Sequence, residues 1–119
     1  MPKVEQSYIN KPWGWELIFA HTQQYVGKVI FIKKGELLSR QYHQEKDESV
    51  YVVDGPLIIE IGRDGDERIE LKNGESFHIP PNTIHRYIAP DNKDCKIIEV
   101  STPQLDDVVR LEDRYGRTN

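Results

Sequence analysis

Four side chains with metal-binding chemistry lie in two short stretches of the sequence. The first stretch holds Gln41, His43 and Glu48, and the second holds His85. Successive side chains of a strand point to opposite faces, so Gln41 and His43 share one face. A short turn could return Glu48 beside them, and His85 arrives from a separate strand. An amide oxygen, two imidazoles and a carboxylate form a mixed nitrogen and oxygen set that suits one divalent metal ion.

This ligand set accepts several divalent ions. We predict one bound ion, with zinc favoured and iron, manganese, nickel or cobalt as alternatives. Taken singly, His43 and His85 would each be read as a hydrogen-bonded core histidine, and Glu48 as a solvated charge; their common register favours metal ligation. Gln41 is the weakest member, because an amide is a poor ligand that could instead hydrogen-bond a metal-bound water.

Both stretches resemble the two motifs of the cupin superfamily. The matching positions are, in chain order, Gly35, His43, Glu48, Gly55, Gly74, Pro80 and His85. Gln41 stands where most cupins have a first histidine, and the cupin domain of type II mannose-6-phosphate isomerases shares that substitution. Other segments that resemble this family are residues 11–14, 35–43, 79–80, 83–86, 98–100 and 107–117. The resemblance implies the fold and a metal site.

The chain departs from the family between the two motifs. After His43 the family usually has further histidine and arginine, then Glu-His-Trp, whereas residues 44–50 read Gln-Glu-Lys-Asp-Glu-Ser-Val. Asn82 replaces a glycine of the second motif, and asparagine tolerates a left-handed turn. We therefore expect the backbone and metal site to be kept and the substrate pocket to be altered. The sequence includes no guanylyltransferase domain, so we expect no nucleotide-sugar synthesis.

The resemblance implies an isomerase that interconverts mannose 6-phosphate and fructose 6-phosphate. Such a reaction moves a proton between adjacent carbons, which requires a base and stabilisation of a developing oxyanion. Glu99 interrupts an apolar strand, where a carboxylate is costly unless it faces a polar cavity or lies on the outer face. Lys28 is likewise a charged residue within an apolar strand. Glu99 and Lys28 are the predicted proton-handling groups.

Several polar side chains are candidates to hold the sugar phosphate. The predicted substrate-binding residues are Arg40, Arg86 and Tyr87, and the further basic candidates are Lys28, Arg110 and Arg117. Because Arg86 directly follows His85, we expect it to face the other way. Two other functions stay open: another metal-dependent cupin enzyme, such as a dioxygenase or sugar epimerase, and a non-catalytic cupin that binds metal or sugar.

Short strand-like segments recur about every ten residues, which is typical of an all-β barrel or sandwich. We predict nine strands, over residues 15–19, 25–33, 38–43, 49–53, 57–61, 68–71, 76–79, 84–88 and 96–101. Residues 104–115 have helical spacing and predict a short C-terminal helical tail. With the resemblance, the prediction is a single double-stranded β-helix (jelly-roll, cupin) domain over residues 1–119. Its barrel core covers about 25–101, after an N-terminal strand within 1–24 and before a tail over 102–119.

Composition excludes several partners. The chain has 119 residues, with 20 acidic against 16 basic residues and no basic run, so one domain without nucleic acid is expected. The longest apolar run, residues 29–32, is too short to cross a membrane, and the N-terminus lacks an apolar signal core. A lone Cys95 predicts a buried thiol and a cytoplasmic location. Exposed strand edges, the Trp13 and Trp15 segment and the C-terminal tail predict a homodimer.

Overall fold

The computed structural model describes Lys3 and residues 6–117 and contains eleven strands and no helix within them. In chain order these are β1 (Ser7–Lys11), β2 (Gly14–His21), β3 (Val26–Ile32), β4 (Arg40–Tyr42), β5 (Glu48–Asp54), β6 (Leu57–Ile61), β7 (Glu67–Leu71), β8 (Ser76–Ile79), β9 (His85–Ile88), β10 (Cys95–Ser101) and β11 (Val109–Glu112). All nine predicted strands are present. No segment of the described chain forms a helix long and apolar enough to cross a membrane.

The strands form two antiparallel sheets. One has six strands in the order β1-β2-β3-β10-β5-β8, and the other has five in the order β11-β4-β9-β6-β7. Consecutive strands β4 and β5 lie in different sheets, as do β8 and β9 and also β9 and β10. This alternation winds the chain around a common interior, which is the double-stranded β-helix that the sequence predicts.

Alternation along each strand decides which side chains enter that interior. On β10, Cys95, Ile97 and Glu99 are buried, whereas Lys96 and Val100 are exposed. On β3 and β5 the inward positions hold β-branched apolar residues and two charged ones, Lys28 and Glu48. The core cluster comprises Trp13, Ile30, Ile32, Leu38, Val50, Val52, Leu57, Ile59, Leu71, Ile79, Tyr87, Ala89, Cys95 and Ile97. Polar residues at inward-facing positions of the same strands must therefore lie beside this core.

Gly14 permits the tight approach of β2 to β3. Its φ is +156°, and a Cβ there would lie 1.9 Å from the carbonyl oxygen of Phe31. Backbone cannot give way as a flexible side chain can, so only glycine fits. The preceding residue, Trp13, is only 2% exposed and belongs to the core. This explains physically why tryptophan and glycine stand together at the start of the barrel.

The predicted helical tail is wrong. Residues 109–112 form β11, which pairs with β4 through Val109–Tyr42 and Arg110–Gln41. Without β11 the short strand β4 would be an edge of its sheet, with backbone groups left unpaired. Strand β1 also went unpredicted, because Ser7–Lys11 is largely exposed and lacks an apolar pattern. Positions 1, 2, 4 and 5 of the predicted N-terminal segment, and 118 and 119 of the tail, lie outside the described residues.

Candidate metal centre

Three predicted ligands meet inside the barrel. His43 follows β4, Glu48 begins β5 and His85 begins β9, and all three are buried. One oxygen of Glu48 lies 3.4 Å from His43 Nε2, and its other oxygen lies 3.2 Å from His85 Nε2. One ligand atom from each residue lies within 4.8 Å of the others. The fold thus brings these three predicted side chains together.

The protein fixes the orientation of both imidazole rings. His43 Nδ1 lies 2.5 Å from the carbonyl oxygen of Asp107, and His85 Nδ1 lies 2.8 Å from that of Thr83. A carbonyl only accepts hydrogen bonds, so each Nδ1 carries a proton and donates it. The lone pair of a neutral ring is then on Nε2, which faces Glu48. A backbone partner behind a histidine ring is the usual support of a metal ligand.

The three residues fit a divalent ion. Ligand atoms each about 2.1 Å from a tetrahedral metal are about 3.4 Å apart, close to the two distances found here. His85 Nε2 and one oxygen of Glu48 are buried and make no hydrogen bond among the described residues. Buried polar atoms are rarely left unpaired, and a cation between the Nε2 atoms and the carboxylate would give these atoms a partner. The donor chemistry and these unpaired atoms therefore suit a metal.

The electrostatics of the cluster also favour a cation. Burial raises the pKa of Glu48, but His43, His85 and the Lys46 ammonium outweigh it, so that the pKa of Glu48 lies well below its ordinary value. Burial lowers the pKa of His43, but the Glu48 carboxylate, 3.4 Å from Nε2, outweighs it and raises that pKa. Glu48 is thus an ionised buried carboxylate, the state in which it can bind a metal.

Gln41 lies beside the cluster in a different arrangement. Its Oε1 accepts a hydrogen bond from Ser39 Oγ at 2.6 Å, and its Nε2 is 3.5 Å from His43 Nε2. Turning the amide by 180° would exchange these atoms, and the Ser39 hydroxyl could then accept a hydrogen bond instead of donating one. Gln41 is therefore placed beside His43, with its amide oxygen on the Ser39 side.

A cavity of about 280 Å³ opens beside the cluster. Its lining includes Gln41, His43, Lys28, Tyr87 and Glu99. Glu99 is 5% exposed, so of its two predicted positions the inward one is correct. Tyr87 Oη donates to Glu99 at 2.8 Å and lies 3.5 Å from Glu48. Lys28 pairs with Glu16 at 3.4 Å on the same wall.

Glu99 has the properties of a proton-transfer group. Burial and the nearby Glu48 charge raise its pKa, and Lys46, Lys28 and the Tyr87 hydrogen bond only partly offset this effect. Burial, together with Glu99 and Glu48, raises the pKa of Tyr87 well above the ordinary phenol value. Tyr87 is thus a neutral hydrogen-bond donor. A carboxyl group whose pKa is raised toward neutrality can both take and return a proton.

The family is decided by a match over nearly the whole chain. Residues 3–113 match the family described as mannose-6-phosphate isomerase C-terminal. This chain belongs to that family. Its relatives include the xanthan biosynthesis protein XanB of Xanthomonas campestris pv. campestris (strain B100), 36% identical over 113 residues, which cover 92% of this chain and 24% of XanB. The mannose-1-phosphate guanylyltransferase of Escherichia coli (strain K12) is 38% identical over 112 residues, covering 92% and 23% respectively. The chain thus spans about a quarter of the length of these curated relatives.

Solved structures share the fold of this family member. KdgF from Halomonas sp. superposes with a TM-score of 0.74 at 25% identity, covering 84% of this chain and 90% of KdgF. The capsular polysaccharide assembling protein CapF of Staphylococcus aureus gives 0.76 at 23% identity, covering 91% and 34%. Pac13, described as a nucleoside dehydratase, gives 0.75 at 14% identity, covering 92% and 87%. The last two likenesses concern the fold alone.

Two predicted substrate ligands of this family member lie outside the cavity lining. Arg40 pairs with Glu60 at 2.9 Å and Glu112 at 3.5 Å. Arg86 donates to the Leu38 carbonyl at 2.8 Å and pairs with Glu112 at 3.3 Å. Arg86 does face away from His85, as alternation requires. Both guanidinium groups connect β4 and β9 to β11 and are not placed to touch a molecule in the cavity.

Arg110 and Arg117 do line the cavity. Arg117 is held by Asp113, with Nε 2.9 Å from Oδ2. The side chain of Arg110 makes no hydrogen bond or ion pair among the described residues, and its Nε is buried. It stands opposite Gln41 in the β4–β11 pairing. Arg110 is thus a cation available to an anionic group in the cavity.

Sequence reasoning missed Lys46. No sequence-based expectation included Lys46, which is only 5% exposed and lines the cavity. Its Nζ is 3.1 Å from Glu48 and 3.7 Å from Glu99. The available signal was its spacing, since a residue two before Glu48 shares the face of Glu48 if the extended backbone begins early.

Asp107 fixes the loop that carries Lys46. Its carboxylate accepts backbone N–H groups of Gln44, Glu45 and Lys46 at 3.0, 2.7 and 2.9 Å. Its carbonyl oxygen is the acceptor behind His43. One residue of the C-terminal segment thus holds both a metal-ligand ring and the loop between His43 and Glu48. The second-motif turn is tied in as well, since Asn82 has φ 64°, as its predicted left-handed turn requires, and donates to the His43 carbonyl.

Proposed function

We propose that this chain is a metal-dependent aldose–ketose isomerase that interconverts mannose 6-phosphate and fructose 6-phosphate. The proposal rests on three features that meet at one cavity. These are the metal-type cluster of His43, Glu48 and His85, the buried carboxyl group of Glu99, and Arg110, whose side chain has no partner among the described residues. Family membership supports the sugar-phosphate class, and the relatives named above are a xanthan biosynthesis protein and a mannose-1-phosphate guanylyltransferase. A cytoplasmic location, expected from the single unpaired cysteine, is part of the proposal.

His43, Glu48 and His85 would hold the ion, with Gln41 as a fourth ligand after its amide turns. When bound, a divalent ion supplies a Lewis acid that polarises a carbonyl oxygen. Its fit rests on the Nε2 atoms that face Glu48, each ring having a backbone carbonyl behind its Nδ1, and on the unpaired buried oxygen of Glu48. Zinc is favoured, with iron, manganese, nickel or cobalt as alternatives.

Glu99 is the proposed base of the proton transfer. It takes the proton from the carbon beside the sugar carbonyl and returns it to the former carbonyl carbon. The proton of the neighbouring hydroxyl group moves to the former carbonyl oxygen, and together these transfers exchange aldose and ketose. Tyr87 orients the carboxyl group by donating to it at 2.8 Å. Lys28, on the neighbouring wall, is the second proton-handling candidate, and its ion pair with Glu16 fixes its position.

Arg110 is the proposed phosphate anchor. It lines the cavity, lacks a partner among the described residues, and presents a guanidinium that matches phosphate geometry. Arg117 is the weaker candidate, because Asp113 already occupies its guanidinium. Lys11 also lines the cavity and adds positive charge near its opening.

The test is interconversion of mannose 6-phosphate and fructose 6-phosphate by protein loaded with each candidate metal. Glu99→Gln should abolish turnover and leave metal bound, because it removes the base and no ligand. Arg110→Gln should mainly raise KM, since phosphate binding is shared by ground and transition states. Arg40→Gln is the matched control, because Arg40 is an arginine of the neighbouring strand outside the cavity; its KM should stay unchanged. Inactivity of the wild type on hexose and pentose phosphates with every metal would favour another cupin activity or a binding role.

A further inference from the structure

Lys46 is a buried cation between two buried carboxylates. Its ammonium lies 3.1 Å from an oxygen of Glu48 and 3.7 Å from an oxygen of Glu99. Glu48 belongs to the metal-type cluster, whereas Glu99 is the proposed base. Two buried carboxylates are costly without a compensating charge. Lys46 therefore supplies, in the metal-free protein, positive charge that a metal would otherwise provide.

A metal bound to the Glu48 oxygen near His43 would compete with Lys46, which lies 3.1 Å from that same oxygen. An ion bound about 2.1 Å from the Glu48 oxygen would lie within about 5 Å of the Lys46 Nζ atom. Two positive charges at that distance repel strongly where water is excluded. The oxygen in question is the Glu48 atom that lacks a hydrogen bond of good geometry, although Lys46 is near it. The ammonium is thus a loose occupant that an ion can displace.

The backbone of Lys46 is fixed while its side chain has a second partner. Its N–H is held by Asp107 at 2.9 Å, so the loop itself has no need to move. The four-carbon stem of lysine is flexible, and Glu99 is already within 3.7 Å of the ammonium. A small rotation would transfer Lys46 from Glu48 to Glu99 without exposing its charge.

We propose that Lys46 is an internal competitor of the metal, which neutralises Glu48 in the metal-free protein and transfers to Glu99 when a metal binds. This inference rests on the proposed metal centre. Its consequence is energetic coupling between the metal site and the base. Moving Lys46 away from Glu48 costs free energy, which makes the free energy of metal binding less favourable. The ammonium that reaches Glu99 favours the ionised form of the Glu99 carboxyl group.

The experiment measures metal affinity in the full chain by competition with a chromogenic chelator, using Zn²⁺ and Co²⁺. Lys46→Met keeps the length of the side chain and removes its charge, so we expect binding about tenfold tighter than wild type. The metal-free variant should also unfold at a lower temperature than wild type, because two carboxylates lose their cation. Lys46→Arg should restore an affinity near that of wild type.

Lys28→Met is the matched control. Lys28 is a buried lysine of the same cavity, but its partner is Glu16, so this substitution should leave metal affinity within about twofold. The transfer to Glu99 is tested by a double-mutant cycle. Glu99→Gln should weaken metal binding more in the presence of Lys46 than in the Lys46→Met background, because the displaced ammonium then lacks its second partner.

The outcomes separate this inference from the proposed function. Wild type that binds no metal overturns both the metal centre and the role of Lys46. Wild type that binds metal, with Lys46→Met equal or weaker in affinity, overturns the role of Lys46 alone. If Lys46→Met does not fold without metal, Lys46→Gln, which can still donate to Glu48, replaces it with the same expected direction.

Discussion

At the scale of single residues, the backbone carbonyl groups behind His43 and His85 decide the chemistry of the cluster. Each carbonyl accepts a hydrogen bond from Nδ1–H, and Nε2 is then the ring atom that faces Glu48. The same rings with the other tautomer would donate to the carboxylate and form an ordinary buried hydrogen-bond network. Residue type and spacing alone cannot distinguish these two tautomers. The tautomer depends on the carbonyl groups that the fold places behind the rings.

The first prediction follows from that geometry. His43→Ala and His85→Ala should each abolish stable binding of a divalent metal, because each removes one of three convergent ligand atoms. Gln41→Ala should weaken binding less, since its amide oxygen is turned toward Ser39. Elemental analysis after dialysis measures the occupancy. Unchanged occupancy in both histidine variants would place the metal elsewhere.

The second prediction concerns Cys95. Burial, the largest effect, raises the pKa of this thiol to about 12, and the side chain is fully buried at the start of β10. At pH 8 only about one thiol in ten thousand would then be ionised, and the thiolate is the reactive form. A disulfide reagent should label native protein at least about a hundredfold more slowly than urea-unfolded protein. Equally fast labelling of both would show that the start of β10 opens readily.

At the scale of elements, the C-terminal segment is part of the site. The carboxylate of Asp107 holds three N–H groups of the loop after β4, and β11 pairs with β4 itself. The loop that carries Lys46 is therefore positioned by a segment about 60 residues away along the chain. Asp107 acts through the loop and through His43, so it is a positioning residue.

The third prediction is that Asp107→Ala lowers both stability and metal affinity. Three backbone donors lose a partly exposed carboxylate, for which we expect about 1–2 kcal/mol less free energy of unfolding. Metal affinity should fall because the loop between His43 and Glu48 is released. Urea unfolding and chelator competition measure the two effects. Asp106→Ala is the control, because Asp106 is exposed and makes no side-chain hydrogen bond to this loop.

The stabilisation by Asp107 should depend on pH in one direction. Burial, the largest single effect, raises its pKa, but the three loop N–H groups together outweigh burial and hold that pKa below the ordinary 3.8. The stabilisation is therefore fully present above the ordinary pKa and is lost as the pH falls through the lowered value. The difference in unfolding free energy between wild type and Asp107→Asn should shrink on going from pH 7 to pH 2. A difference that grows in acid would contradict this assignment.

An element can be predicted from sequence when its own residue pattern determines its structure, and not when contacts with distant segments determine it. Alternation of buried and exposed residues predicts strands such as β5 and β10, and Glu48 shares the inward register of β5. The segment that became β11 has helical spacing in Leu105, Val108 and Val109, and its strand state is set by pairing with β4, a long-range contact. The burial of Lys46 could not be predicted for the same reason. It depends on another long-range contact, the hydrogen bond from the Lys46 N–H to the carboxylate of Asp107.

At the scale of the whole molecule, the two faces of the six-stranded sheet differ in an unusual way. The inner face carries the core and the polar cavity, whereas the outer face is also largely apolar. Trp15 stacks on Phe31 with ring centroids 5.4 Å apart, and Tyr8 meets Trp15 edge-on at 5.3 Å. Farther along the same face, Tyr51 and Val100 are about half exposed. An apolar face of this extent is typical of an interaction surface.

The last prediction is a homodimer formed through this outer face. Two of the expected contacts need correction, since Trp13 lies in the core and the C-terminal tail pairs with β4 of its own chain. Trp15 and the exposed apolar residues of β5 and β10 take their place. Light scattering should give about twice the 13.9 kDa chain mass.

Tyr51→Glu and Val100→Glu should shift the protein to monomer, because a charge buried against an apolar partner face is costly. Tyr25→Glu is the control, since Tyr25 is equally exposed but precedes β3 in a loop. A monomer mass for wild type over a wide concentration range would contradict the dimer, and dissociation by all three variants alike would place its interface elsewhere.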